Sequence, residues 1–140
     1  MPYADNELFY RRVPNNTVSL TPDDNLGGVR SNSGAWEDSR DNLTSVFAHS
    51  TLEEAGLEPS SVLRSRPGFH VAAITAGELR DLGLDVRSEP TDDGPEGIAH
   101  AVITGLADGS AGRKTRSKIA KSARFVDGHG PQDGLFLQVD

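Results

Sequence analysis

Between Gly112 and Val126 the chain reads GRKTRSKIAKSARFV. Arg113, Lys114, Arg116, Lys118, Lys121 and Arg124 are six of its 14 basic residues, and no acid interrupts them. The whole chain carries a formal charge of −7, and removing these six leaves −13 for the remainder. A cationic patch on an otherwise acidic chain suits an anionic partner. The chemistry it offers is association with an acidic protein or a phosphate-bearing ligand. Nucleic acid fits less well. No aromatic residue is interleaved within the helix for base stacking, and the acidic remainder repels a polyanion beyond the patch. The plain alternative is a solvated helix face. No Glu or Asp sits four residues from any of these cations, so internal ion pairs do not explain them.

A second set of residues is scattered along the chain. Arg11 and Arg12 are adjacent in LFYRRV, so a strand sends them to opposite faces. One of them points inward, where a guanidinium needs a carboxylate or a ligand anion. Pairing with Glu7 or a loop Asp is the favoured reading. His49, His70, His100 and His129 form no H-x-x-x-H pair. A metal site would have to be assembled from His70, His100 and one of Asp92, Asp93 or Glu96. Ordinary strand histidines are the better reading, so no metal and no cofactor is expected. His100 shares a face with Val102 and Thr104. Trp36, the single tryptophan, reads as a core anchor. There is no G-x-S-x-G, P-loop or G-x-G-x-x-G. A cavity lined by Arg12, Ser33, Ser45 and His100 is the alternative site.

These residues need elements to position them. At 140 residues the chain is one domain by length, with room for a core unaided by disulfides or metals. It has no cysteine, which excludes disulfides, thiolate zinc and cysteine nucleophiles. Hydrophobic residues are 35%, beside 15 Gly and 8 Pro, so loops and turns should be extensive. The opening MPYADNELFYRRV predicts no secretory leader, and no window reads as a membrane helix. A cytoplasmic protein with no membrane contact is expected.

Strands are predicted over Leu8–Val13, Leu43–Ala48, Phe69–Ile74 and Ile98–Thr104, with shorter ones at Val18–Leu20 and Asp85–Arg87. Ser50 or Thr51 should cap a short helix ending at Gly56, and Ser60–Arg64 a further helical turn. Thr75 and Glu78 form a capping box for Ala76–Leu82, closed by Gly83. The basic helix is predicted over Arg113–Ala123, with Ile119, Ala123 and Val126 on its inner face. Leu135–Val139 is a last strand or an ordered tail. The expectation is a single α+β domain over 1–127, with a Gly-rich tail over 128–140. Its sheet is mixed or antiparallel, with about five short strands and two or three helices.

The segments Leu8–Pro14 (LFYRRVP), Asn32–Trp36 (NSGAW), Leu43–Val46 (LTSV), Pro67–His70 (PGFH), Ala76–Gly83 (AGELRDLG), Ala99–Ile103 (AHAVI) and Gly112–Ala120 (GRKTRSKIA) occur in an order that resembles a family of small bacterial proteins. Its pattern runs LYRRVP, SSAAF, LSV, PGHG, AHALV and GKKTKS. This chain departs from it by Leu106–Ala111 and by Trp36 in place of Phe. The resemblance implies a domain and a set of candidate residues, not a reaction. Arg12, Ser33, Ser45, His100 and Lys114 fall within the shared motifs. The opening strand is also similar to that of ADP-ribosyltransferase-like domains. That resemblance implies NAD held by a first-strand Arg, here Arg12, a later-strand Ser, here Ser45, and a Glu that assists glycosidic cleavage. No strand-borne Glu is present for the third role: Glu37, Glu78 and Glu96 lie in predicted loops or helices.

The expected function is therefore that of an accessory or interaction protein, leaning away from catalysis. An NAD-using enzyme and a weak nucleic-acid binder are the alternatives.

Overall fold

In β1 (Leu8–Pro14) the alternation of apolar residues is doubled. Phe9 and Val13 are buried on one face and Tyr10 on the other. A strand apolar on both faces must be covered on both. The structure is a computed structural model, and it describes residues 3–14, 19–23, 28–38, 42–63, 69–92 and 94–126.

Seven further strands follow: β2 (Leu20–Asp23), β3 (Gly28–Ser31), β4 (Thr44–Ala48), β5 (Phe69–Thr75), β6 (Asp85–Ser88), β7 (His100–Thr104) and β8 (Arg124–Phe125). The helices are α1 (His49–Glu54), α2 (Ala76–Asp81) and α3 (Gly109–Ser122). Short 3₁₀ turns cover Ser33–Trp36, Pro59–Leu63 and Pro95–Ala99. Six strands form one sheet in the order β6-β7-β4-β1-β5-β8, and every pairing is antiparallel. β2 and β3 make a separate hairpin. The class is α+β, with one more strand in the main sheet than the sequence suggests.

Phe9, Val13, Val46, Ile74 and Ile103 pack on one face against Trp36, Leu79 of α2 and Ile119 of α3. Tyr10, Phe47 and Val71 pack on the other against Leu52 of α1, Val62 and Ala99. Each large side chain so buried contributes about 1.5–3 kcal/mol. Trp36 is fully buried, and its indole N–H donates to Ser31 Oγ at 3.1 Å. It is the core anchor expected.

Local signals act as read at α2. The Thr75 hydroxyl accepts from the Glu78 N–H, and the Glu78 carboxylate accepts from the Thr75 N–H. Gly83 follows at φ 82°, where an L side chain would be strained. Elsewhere tertiary contacts override them. α1 begins at His49, with Ala48 at the cap, so neither Ser50 nor Thr51 caps it. The acceptor comes from far away: the Glu7 carboxylate takes the Ser50 N–H at 2.8 Å and the Ser50 hydroxyl at 2.7 Å.

The strand predicted from Ile98 starts at His100, because Pro95–Ala99 turns in a 3₁₀ helix after Gly94 at φ 71°. α3 starts four residues before Arg113 and ends at Ser122. Ala123 is extended there, which moves Arg124 off the helix and into β8. Among the described residues no helix is long and apolar enough to cross a membrane. Val18, Pro67, Gly68, Asp93, His129, the strand over Leu135–Val139 and the tail over 128–140 lie outside the described residues.

Candidate functional site

The main sheet is split near its middle. β1 pairs with β5 along all seven of its residues, but with β4 at only two positions, Phe9 with Ala48 and Tyr10 with Phe47. Beyond Tyr10, side chains replace the ladder. The Ser45 N–H donates to Asp38 Oδ2 at 2.8 Å, and the Ser45 carbonyl accepts from Arg11 Nη1 at 2.7 Å. Arg11 also donates from Nε to the Ala35 carbonyl at 2.6 Å and from Nη2 to the Glu37 carbonyl at 2.5 Å. Its Nη1 lies 3.9 Å from Asp38 Oδ2. Burial pulls the Arg11 guanidinium down to about 10, and Asp38 draws it back up. It therefore stays charged at neutral pH. The pairing with a loop Asp expected for this arginine pair is found at Arg11.

The parting of the strands leaves a cavity of about 300 Å³. Arg11, Arg12, Ser45, Glu37, Asp38, Phe47 and Phe69 are among its walls. The register explains the set. Arg12 pairs with Val71 and Pro14 with Phe69, so alternation puts Arg12, Pro14 and Phe69 on the face that carries Phe47 and Ser45. The Arg12 guanidinium carbon lies 5.8 Å from the centre of the Phe47 ring.

Of the four residues proposed for a cleft, Arg12 and Ser45 meet here and two do not. Ser33 stands just outside the wall, which Gly34 and Ala35 of its 3₁₀ turn supply. His100 lies behind the wall. It is buried, its Nδ1–H donates to the Glu89 carbonyl at 2.7 Å, and its ring meets Phe47 edge-on at 5.6 Å. Its role is to back Phe47. His70 aligns with Val13 and His100 with Phe47, on opposite faces of the sheet, so they cannot share an ion. Asp38 and Phe69 also line the cavity, and no motif in the sequence singles them out. Only the acidic pair Glu37-Asp38 directly after SGAW signalled the former.

The other candidate surface is α3. Gly112, Ile119 and Ala120 are buried. At about 100° per residue, Lys114, Lys118 and Lys121 fall within about 60° of one another on the opposite side. The rise from Lys114 to Lys121 is about 10 Å. These three lysines and Arg113 are exposed. Among the described residues no carboxylate pairs with any of the four. Two other cations leave the set. Arg116 turns inward, its Nε donating to the Trp36 carbonyl at 3.2 Å, and Arg124 lies 3.5 Å from Glu78.

Comparison of the chain with protein-family models, curated proteins and solved structures finds no match in any of the three.

Proposed function

We propose that this protein is an accessory module that docks an acidic protein, or a phosphate-bearing ligand, through the outward face of α3. One observation carries the reading. Lys114, Lys118 and Lys121 make a stripe opposite the helix's buried side, and no carboxylate of the described residues neutralises it. Such charges add nothing to the fold. The acidic remainder of the chain disfavours an extended polyanion, so a local cluster of carboxylates is the better complement. Exposed ion pairs are worth about 0–1 kcal/mol each. The contact is therefore fast, reversible and weakened by salt.

The test is co-purification of the tagged protein from its native host, beside a variant carrying Lys114→Glu, Lys118→Glu and Lys121→Glu. A stoichiometric acidic partner lost on charge reversal supports the reading. Retention of the partner by the variant refutes it. A bound nucleic acid, released steeply by salt, would instead support the nucleic-acid alternative.

A second reading rests on the cavity, which joins Arg12 and Ser45 with the acids Glu37 and Asp38. An Arg, a Ser and an acid are the parts an NAD-using, ADP-ribosyltransferase-like enzyme calls for, with the acid here following a 3₁₀ turn rather than standing in a strand. Asp38 is engaged by the Ser45 N–H, so Glu37 would be the assisting acid. No heat of NAD binding at about millimolar ligand would remove this reading.

A further inference from the structure

We propose that the partner of the α3 stripe is a second copy of this chain, met head to tail at the acidic end of α1. This rests on the α3 docking reading and names its partner. The acids are Glu53 and Glu54, the last two residues of α1, and Glu58 just beyond Gly56. All three are exposed. Their placement does not favour the fold. A helix C-terminus is the negative end of the helix dipole, and it repels carboxylates. The last turn of α1 holds no basic residue to offset them. Glu53 lies 3.4 Å from His49 Nε2, and no cation of the described residues pairs with Glu54 or Glu58.

α3 has the opposite imbalance. Lys114 and Lys118 stand four residues apart and Lys118 and Lys121 three, and like charges at those spacings repel. Stripe and acids each lack what the other supplies, so docking relieves both. Ile98 is 55% exposed in the 3₁₀ turn packed against α1, and it adds an apolar contact for the lysine stems. Position fixes the form of the assembly. α3 packs on one face of the main sheet through Ile119, and α1 on the other through Leu52. Two copies therefore cannot exchange both contacts about a two-fold axis. Each pair leaves a stripe free at one end and acids free at the other. Such a contact grows into open chains rather than closing as a dimer. Net charge opposes it, since every copy carries −7. At about 0.15 M salt that repulsion is screened beyond about 8 Å, while pairs in contact persist.

The test is sedimentation equilibrium of the purified full chain, up to about 1 mM in about 0.15 M salt. The average mass should climb with concentration without levelling at a dimer, and return to the monomer at about 1 M salt. A mass that stays monomeric throughout overturns the proposal, and so does a plateau at the dimer. The variant carrying Lys114→Glu, Lys118→Glu and Lys121→Glu should associate at least about tenfold more weakly. So should one carrying Glu53→Lys, Glu54→Lys and Glu58→Lys, although these exchanges make the chain less negative and lower general repulsion. Equal parts of the two variants should associate again, because acids then face lysines at both contacts. Either variant associating as the parent does, or a mixture that stays monomeric, overturns the proposal. The α1 variant should melt no lower than the parent, since lysines suit a helix C-terminus. If either variant loses its fold, the parent's dependence on concentration and salt decides alone. In co-purification the α1 variant should keep any foreign partner held by α3. Such a partner, beside a parent that stays monomeric, refutes self-docking and leaves the α3 reading in place.

Discussion

The Arg11 guanidinium donates to the Ser45 carbonyl at 2.7 Å, where the sheet's ladder would otherwise continue from Tyr10 and Phe47. Asp38 meets the Ser45 N–H from the same side. A side-chain pair thus holds two strands together while keeping them apart, and the cavity exists because of it. Replacing Arg11 with Met should cost about 3–5 kcal/mol, since it removes the donor to three carbonyls and the charge beside Asp38. Arg11→Lys keeps the charge but cannot reach all three acceptors, and should cost about 1–3 kcal/mol. Urea unfolding of the two variants checks the order. Equal stability of Arg11→Met and the parent would mean the strands part for another reason.

Tyr10 should give the fold an alkaline limit. Its hydroxyl lies 2.7 Å from His49 Nδ1. Burial raises the phenol above its usual 10.0, helped by the nearby Glu53 and Glu7 carboxylates. An acid with a raised folded value holds its proton more tightly in the native state. Its contribution is therefore complete below pH 10 and is lost as pH rises through the folded value. Stability should fall above pH 10 in the parent and fall less steeply in Tyr10→Phe. At neutral pH that variant should lose about 1 kcal/mol with the hydrogen bond. Unfolding midpoints across this range, with tyrosinate absorbance followed in parallel, decide it.

Gly112→Ala should destabilise the protein, although alanine is the better helix former by about 1 kcal/mol. A β-carbon at Gly112 would press into the Ala107 carbonyl oxygen, which belongs to rigid backbone. Overpacking of this kind costs about 1–3 kcal/mol, so the clash outweighs the propensity. Thermal unfolding of the single variant is sufficient. A gain in midpoint would show that the start of α3 can shift to make room.

Legibility followed how local the cause was. β1, β5 and α2 were readable because alternation, a capping box and Gly83 lie within a few residues of what they control. The stripe of Lys114, Lys118 and Lys121 was readable from helical period alone. The same period sets Arg116 at the edge of the inner face, but the partner it finds there, the Trp36 carbonyl 80 positions earlier, has no local signal. Arg124 continues the run of cations in the sequence, and nothing there announces the extended Ala123 that carries it into β8. The cavity was half legible. Strand alternation puts Arg12 and Ser45 on a common face once their strands are neighbours. The gap between those strands depends on Asp38, whose reach to Ser45 no period encodes. His100 and Ser33 border the site without entering it, since sharing a motif does not place a residue in a wall.

The α1 cap offers a test of that same distinction between near and far causes. Sequence logic gives the cap to Ser50 or Thr51, whereas the structure gives it to Glu7 in the segment before β1. Glu7→Ala should cost about 1–2 kcal/mol, because two donors lose one charged acceptor. Ser50→Ala removes only the hydroxyl bond and should cost less, about 0.5–1 kcal/mol. Thr51→Ala should fall within about 0.5 kcal/mol of the parent. In the double variant the Glu7 and Ser50 effects should not add, since both report one contact between β1's approach and α1. Full additivity, or a larger loss at Thr51 than at Glu7, would return the cap to the local residues and loosen the tie between α1 and the first strand.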